Sequence, residues 1–154
     1  MAAFFFGTSD LVKRHVTEVG SSWVRAQTSA KAGHTLYIAG ITAVEMTSAI
    51  TRRQRGGSLS PAQGAAIYGH FRRHLAQRYV VLEMTPALMA AAVLLARTYA
   101  LRAYDAVQLA AALDIQRDHR QAGLAPVTLV SADRDLNAAA TAEGLTVEDP
   151  NSHP

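Results

Sequence analysis

Short apolar segments alternate with longer amphipathic segments along the chain. Five short runs rich in aromatic or β-branched residues predict strands, at residues 4–6, 35–39, 79–82, 127–130 and 145–147. Between them lie segments with helical periodicity or helix-capping residues. Because strands that alternate with helices usually form a parallel sheet covered on both faces, the pattern predicts a three-layer α/β/α fold with a parallel central sheet.

Small and polar residues indicate where the first three helices begin, and Gly20-Ser21-Ser22 opens the second of them, through Trp23. Thr8 or Ser9 is expected to cap a helix that runs to about Thr17. Thr42 and Glu45 have the spacing of a capping box, in which the side chain of each residue accepts a hydrogen bond from the backbone amide of the other. This spacing predicts a helix that ends near the following pair of glycines.

Two further helices have clear start signals. Ser60 and Pro61 begin one of them. Its apolar stripe consists of Ile67, Phe71 and Leu75. Thr85 caps the other, which contains the longest apolar run of the chain, residues 87–96. Because a bilayer span needs about 20 apolar residues, this run predicts a buried helix rather than a membrane segment.

Length and composition predict one globular domain over residues 1–154. Hydrophobic residues make up 49% of the chain and charged residues 18%, which argues against extended disorder. The absence of cysteine excludes disulfides and thiolate metal sites, so a metal would need oxygen or imidazole ligands. The first residues lack the basic region of a signal peptide, and we expect a cytoplasmic protein.

Four acidic residues stand at or near the starts of predicted helices: Glu45, Asp105, Asp133 and Asp135. In a parallel α/β sheet these helix starts lie along the carboxyl edge of the strands, so the carboxylates should converge. Helix capping and the helix dipole explain each acid taken alone. Together they repel one another unless a cation is present, and hard cations such as Mg²⁺ bind carboxylates. The set therefore predicts a metal site.

Other polar residues give weaker signals. The six histidines show no metal or triad pairing that we recognise, and we assign them to helix surfaces or loops. No serine has the context of a nucleophile elbow, and the Gly56-Gly57 stretch lacks the P-loop lysine. The net charge is +3. Six arginines, either phosphate-binding or simply solvated, stand in two groups: Arg52, Arg53, Arg55, Arg72, Arg73 and Arg78.

Three segments together resemble the PIN-domain family, in particular the VapC-type ribonuclease toxins of toxin–antitoxin pairs. They are Thr-Ser-x-Leu-Val-Lys-Arg after the first strand, Leu-Arg-x-x-Asp-Ala-x-x-Leu-Ala from Leu101, and Ser-Ala-Asp-x-Asp-Leu from Ser131. The resemblance implies a Mg²⁺- or Mn²⁺-dependent endoribonuclease in which Glu45, Asp105 and Asp133 bind the metal and Ser131 supports the site. It also implies three partners: an RNA substrate, a small antitoxin and a second copy of the chain.

The sequence departs from the family at one position. The family has an aspartate at the end of the first strand, where this chain has Gly7. The nearest acid is Asp10, which is expected in the first helical turn, where it either serves the helix dipole or reaches the metal site directly or through water. Two functions therefore stay open, an endoribonuclease weakened by Gly7 and an inactive module that still binds antitoxin or RNA. A phosphatase or receiver-like domain is disfavoured by Gly7 and by the absence of lysine after Lys31.

Overall fold

The structure is a computed structural model that describes residues 1–154. Its sheet has five strands: β1 (Ala3–Phe6), β2 (Thr35–Ala39), β3 (Tyr79–Leu82), β4 (Val127–Val130) and β5 (Thr146–Glu148). The spatial order is β3-β2-β1-β4-β5, and every neighbouring pair is parallel. The predicted parallel sheet is confirmed, and the strand positions agree within one or two residues.

Seven α-helices and two short 3₁₀ turns connect the strands. The helices are α1 (Thr8–Val12), α2 (Ser21–Thr28), α3 (Thr42–Arg55), α4 (Pro61–Gln77), α5 (Pro86–Tyr99), α6 (Ala103–Gln121) and α7 (Arg134–Ala142), and the turns are Ala30–Ala32 and Pro150–Ser152. In α4, Ser60 and Gln63 form a complete capping box with Pro61 at the first helical position. Both capped starts predicted for α4 and α5 are confirmed.

Two hydrophobic clusters cover the two faces of the sheet. Consecutive residues of β1 point to opposite faces, as the two-residue period of a strand requires. Phe5 packs with α5, α6 and α7, and its cluster includes Leu109 and Leu129. Phe4 and Phe6 pack with α1 to α4 on the other face, in the cluster that contains Phe71. The arrangement is therefore the predicted three-layer fold, and the Ile67/Phe71/Leu75 stripe of α4 faces its core.

The first helix differs from the prediction. Gly7, not Thr8 or Ser9, is its N-cap residue, and the helix ends at Val12 rather than near Thr17. The chain leaves the helix at Lys13, whose buried amine donates hydrogen bonds to the Glu18 carboxylate at 3.3 Å and to the Val19 carbonyl at 3.0 Å. These contacts fold residues 13–19 back on themselves, which a continuing helix would not allow.

The predicted capping box at the start of α3 is wrong. Ile41 is the N-cap residue, and no side chain caps the helix. Thr42 is the first helical residue, and its hydroxyl accepts a hydrogen bond from Gln108 Nε2 on α6 at 3.3 Å. The Thr42 hydroxyl therefore makes a tertiary contact with α6 instead of the predicted hydrogen bond to the helix backbone, and Glu45 has no capping role.

Two expectations about burial are also wrong. The apolar helix α5 buries only Leu88 and Ala92, whereas Val93 and Leu94 are each 66% exposed, because α5 is the outer layer and needs only one apolar stripe against the core. His119, expected on a surface or loop, is buried between Tyr37 Oη and the Ala125 carbonyl, each 2.8 Å from a ring nitrogen. No single helix is long and apolar enough to span a bilayer; α5 and α6 reach that length only as a pair bent by 118°.

Candidate functional site

A polar cavity of about 430 Å³ lies where β1 and β4 end. Its walls come from the loop and helix after β1, from α3 and α6, and from the loop between β4 and α7. The cavity brings together the four predicted metal-binding residues, Asp10, Glu45, Asp105 and Asp133, with Ser131. Asp135 is exposed, and it lines a shallow depression beside this cavity rather than the cavity itself. The predicted convergence of acids at the carboxyl edge is therefore what the fold produces for all but Asp135.

Asp133 is held by the start of α7. It is the N-cap residue, and its Oδ1 accepts a hydrogen bond from the Leu136 amide at 2.8 Å. Ser131 Oγ accepts a hydrogen bond from the Asp133 amide at 3.1 Å and fixes the backbone of the preceding loop. The capping interaction uses one carboxylate oxygen and leaves the second available to a ligand in the cavity.

The acids are close enough to raise the pKa of Asp105. Desolvation by burial is the largest cause, and the negative charge of Asp133 is the next. Arg102 opposes the shift, while Glu45 and Asp135 add to it. A cation in the cavity would favour the ionised form of Asp105, because an opposite charge nearby stabilises a carboxylate.

Asp10 and Gly7 lie side by side in the lining of the cavity. A Cβ atom added to Gly7 would be 3.2 Å from Asp10 Oδ2, so the carboxylate fills the space next to the missing side chain. Asp10 is 1% exposed, and its Oδ1 has no hydrogen-bond partner. Burial raises the pKa of Asp10 to about 7 against the opposing charge of Lys13. This is an incompletely satisfied carboxyl group in a cavity of carboxylates.

A hydrogen-bonded network in the lining of the cavity connects three helices. Gln108 Nε2 donates to Tyr104 Oη at 2.6 Å and to Thr42 Oγ1, and the Tyr104 hydroxyl is hydrogen-bonded to the Thr8 hydroxyl. Gln108 is fully buried, and its Oε1 has no partner. The network joins α6 to the first residues of α1 and α3, which carry Asp10 and Glu45.

Several cavity residues were not predicted as site residues. They are Lys13, Glu18, Arg102, Tyr104 and Gln108. Tyr104 and Gln108 are four residues apart and therefore lie on one face of α6. Both belong to the motif that contains Asp105, so this signal was available in the sequence. Lys13 and Glu18 had no comparable signal, because their pairing depends on the turn after α1. Of the six arginines considered earlier, only Arg53 lines the cavity.

The chemistry of the cavity suits a hydrated divalent cation. No group of three or more histidine, aspartate or glutamate side chains is close enough together to bind one ion directly. Mg²⁺ typically retains several waters and uses one or two carboxylates, so direct ligation by three acids is not required. The oxygen-only acids, their mutual repulsion and the unpartnered Asp10 Oδ1 fit such an ion.

Comparisons with known proteins agree with this architecture. A sequence profile of the PIN domain matches residues 8–142. No curated protein matches the sequence significantly. Among solved structures, PAE2754 from Pyrobaculum aerophilum is 20% identical with a TM-score of 0.63, and the match covers 98% of this chain and 91% of that chain.

Two other structural matches are similarly extensive. VapBC2 from Rickettsia felis, bound to a DNA fragment from its promoter, gives a TM-score of 0.62 at 13% identity and covers 96% of this chain and 98% of the other. VapC20 from Mycobacterium tuberculosis, described as a sarcin–ricin loop cleaving toxin, gives a TM-score of 0.62 at 16% identity. This match covers 99% of this chain and 100% of the other. At these identities the structures show a common fold. With the profile covering most of the sequence, the chain belongs to the PIN-domain family.

Proposed function

We propose that this protein is a divalent-metal-dependent endoribonuclease of the VapC toxin type. The observation that carries the proposal is the convergence of Glu45, Asp105 and Asp133 in one cavity at the carboxyl edge of a PIN-domain sheet. The structurally similar VapC20 is described as a sarcin–ricin loop cleaving toxin, which supports RNA as the substrate class. A cytoplasmic location stays a prediction.

The three acids would hold Mg²⁺ or Mn²⁺, with Ser131 supporting the backbone beneath Asp133. Such an ion supplies an activated water and stabilises charge on the leaving oxygen of a phosphodiester. Asp133 is positioned for this by its hydrogen bond to α7, and Asp105 by the first turn of α6. Arg53 and Arg102 line the same cavity, where their guanidinium groups would orient the RNA phosphate.

Asp10 is proposed as a further ligand of this site. Gly7 offers no side chain, and the Asp10 carboxylate occupies the adjacent space with one oxygen unpartnered. The alternative, in which Asp10 only satisfies the dipole of α1, leaves its burial unexplained, since a first-turn acid interacts favourably with a helix dipole without being buried. A buried, ionised carboxylate without full hydrogen bonding is costly, and either protonation or a bound cation removes that cost.

An antitoxin is the proposed protein partner. VapBC2 and FitAB, a further structural match, are each described as bound to a DNA fragment. Together with the resemblance to the toxins of toxin–antitoxin pairs, these matches support a small antitoxin as the partner. Because the Ile67/Phe71/Leu75 stripe packs into the core, a partner would contact the exposed side of α3 and α4 instead. Val44 is 69% exposed there, and Thr47 and Tyr68 line a groove between the two helices. A homodimer is also proposed, on the resemblance to the family alone.

The test is cleavage of single-stranded RNA by the purified protein with Mg²⁺, with Mn²⁺ and with chelator. Cleavage should require the metal and should be lost in Asp105→Asn. Asp114→Asn is the matched control, because Asp114 lies on the same helix but pairs with Arg117 at the surface. Cleavage that persists in chelator and in Asp105→Asn would contradict the proposal.

A second candidate function is an inactive PIN-fold module that binds antitoxin or RNA. It is favoured by Gly7 and by the absence of three acids close enough to ligate one ion directly. Titration with Mn²⁺ separates the two functions. Saturable binding that depends on Asp105 supports the nuclease, whereas RNA binding without metal binding supports the inactive module.

A further inference from the structure

A cluster of histidine and arginine residues lies away from the cavity. We define the His–Arg cluster as Arg14, His15, His70, Arg73, His74, Arg78 and Tyr79. It joins the turn after α1 to the last two turns of α4 and the first residue of β3. Tyr79 begins a strand, whereas the cavity lies at strand ends, and the two sites share no residue.

The aromatic side chains of the cluster form a continuous row. The ring centroids of His15 and His70 are 5.3 Å apart, and those of His70 and His74 are 4.3 Å apart. The row continues to Tyr79, whose ring centroid is 6.0 Å from that of His74. His70 and His74 are one helical turn apart on α4, whereas His15 lies in the turn after α1.

Four polar atoms of this cluster are buried without a hydrogen-bond partner. They are Arg14 Nε, His15 Nε2, His74 Nδ1 and Tyr79 Oη. Only seven such side-chain atoms exist in the whole chain, so more than half of them converge here. Buried polar groups in native proteins are nearly always satisfied, and a concentration of unsatisfied ones indicates a missing partner.

The cluster is also cationic without any compensating acid. The ion pairs of the structure are Lys13–Glu18, Arg117–Asp114 and His153–Glu148, none of which involves the cluster. The pKa values of His15 and His74 are lowered to about 4, first by burial and then by neighbouring histidines and arginines, including Arg25 and Arg73. No aspartate or glutamate contributes to the pKa shifts of Arg14, the three histidines or Tyr79.

We propose that the His–Arg cluster binds a phosphate group, either as inorganic phosphate or as the phosphodiester of a single-stranded nucleic acid. Buried water would satisfy individual hydrogen bonds but would leave the positive charge uncompensated. A metal cation would add to that charge. A phosphate supplies both negative charge and several acceptor oxygens, and it forms charge-assisted hydrogen bonds with guanidinium and imidazolium groups. This site is independent of the nuclease proposal.

The experiment follows the histidine side chains by NMR during titration with sodium phosphate, in chelator and at constant ionic strength set with chloride. The resonances of His15, His70 and His74 should shift with saturation, while those of His34, His119 and His153 should not. The double variant Arg73→Gln/Arg78→Gln should weaken phosphate binding roughly tenfold or more, because charge-assisted hydrogen bonds are lost. Arg97→Gln/Arg120→Gln is the control, since both of these arginines are exposed and outside the cluster.

A second titration uses a short single-stranded DNA oligonucleotide in chelator. Shifts with both probes, or with the oligonucleotide alone, assign the site to nucleic-acid backbone, and shifts with phosphate alone assign it to free phosphate. If the double variant is unfolded by its amide spectrum, Arg73→Gln alone is used, because Arg73 is exposed. The proposal is overturned if neither probe moves the three histidines selectively, or if the arginine variant binds phosphate as well as its parent.

Discussion

Asp10 Oδ2 lies where it would be 3.2 Å from a Cβ atom on Gly7. The two residues are three positions apart, so the first turn of α1 brings the carboxylate back over the glycine. The side chain missing at position 7 is thus replaced in space by one from position 10. This relationship predicts that the two positions are coupled, because carboxylates at both would compete for one volume.

Gly7→Asp should therefore lower the melting temperature in chelator and gain more on addition of Mg²⁺ than the parent does. The backbone φ of −71° at Gly7 accommodates any L-residue, so the cost arises from crowding and from repulsion with Asp10. A bound ion would compensate the negative charges and so relieve that repulsion. Because the ion binds only the folded chain, it should also raise the melting temperature by mass action, and it should raise the nuclease rate. Thermal melts of Gly7→Asp and of uncharged Gly7→Asn, with and without Mg²⁺, test this. Identical Mg²⁺ shifts in Gly7→Asp and parent would show that position 7 does not face the metal site.

Asp10→Asn should weaken Mn²⁺ binding if Asp10 has taken over the role of a ligand. Asparagine keeps the shape of the side chain but removes the charge that a hard cation prefers. The affinity is measured by titration calorimetry, beside Asp114→Asn as a control for a surface aspartate. The exchange variant Gly7→Asp/Asp10→Ala should recover the binding that Asp10→Asn loses. Unchanged affinity in Asp10→Asn would restrict Asp10 to a structural role.

Local sequence patterns were sufficient for most of the fold. The runs at 35–39 and 79–82 correspond to β2 and β3 without adjustment, because β-branched and aromatic residues suit the pleated surface of a strand. Ser60 and Thr85 cap their helices as expected, since capping involves only the adjacent turn. The placement of Glu45, Asp105 and Asp133 in one cavity at the strand edge follows from topology alone, whereas Asp135 lies in a depression beside it.

Long-range contacts account for what the patterns missed. Thr42 was predicted to cap α3, but its hydroxyl instead accepts a hydrogen bond from Gln108, 66 residues away in sequence. The apolar run in α5 has no sequence feature that says which layer the helix occupies, so its exposed side was not foreseen. In the same way, the spacing of His70 and His74 is visible in the sequence, whereas their approach to His15 requires α4 to pack beside the turn after α1.

Tyr104→Phe should destabilise the fold and slow RNA cleavage. The Tyr104 hydroxyl accepts from Gln108 and is hydrogen-bonded to Thr8, so its removal leaves buried polar groups unpaired at a cost of about 1–3 kcal/mol. Because Thr8 and Thr42 begin the helices that carry Asp10 and Glu45, kcat should fall more than RNA affinity. Tyr99→Phe is the matched control, since Tyr99 Oη donates to Glu143 at the exposed surface. Denaturant unfolding and single-turnover cleavage measure the two effects, and equal unfolding free energies for both variants would contradict the role of the network.

The His–Arg cluster should make the fold sensitive to acid. The pKa values of His15 and His74 are lowered from 6.5 to about 4 in the folded chain, so protonation favours the unfolded chain. At these two histidines the unfolded state binds more protons between these values, so they should make the free energy of unfolding fall as pH decreases from about 6.5 toward about 4. Asp10, whose pKa is raised to about 7, opposes this slope with one proton against the two of the histidines. His74→Gln should flatten this part of the profile, whereas His34→Gln, outside the cluster, should retain its slope. Denaturant unfolding at several pH values in chloride measures the slope, and sodium phosphate should reduce it in the parent by favouring the protonated histidines. A slope that is the same in His74→Gln and His34→Gln would place the acid sensitivity elsewhere in the chain.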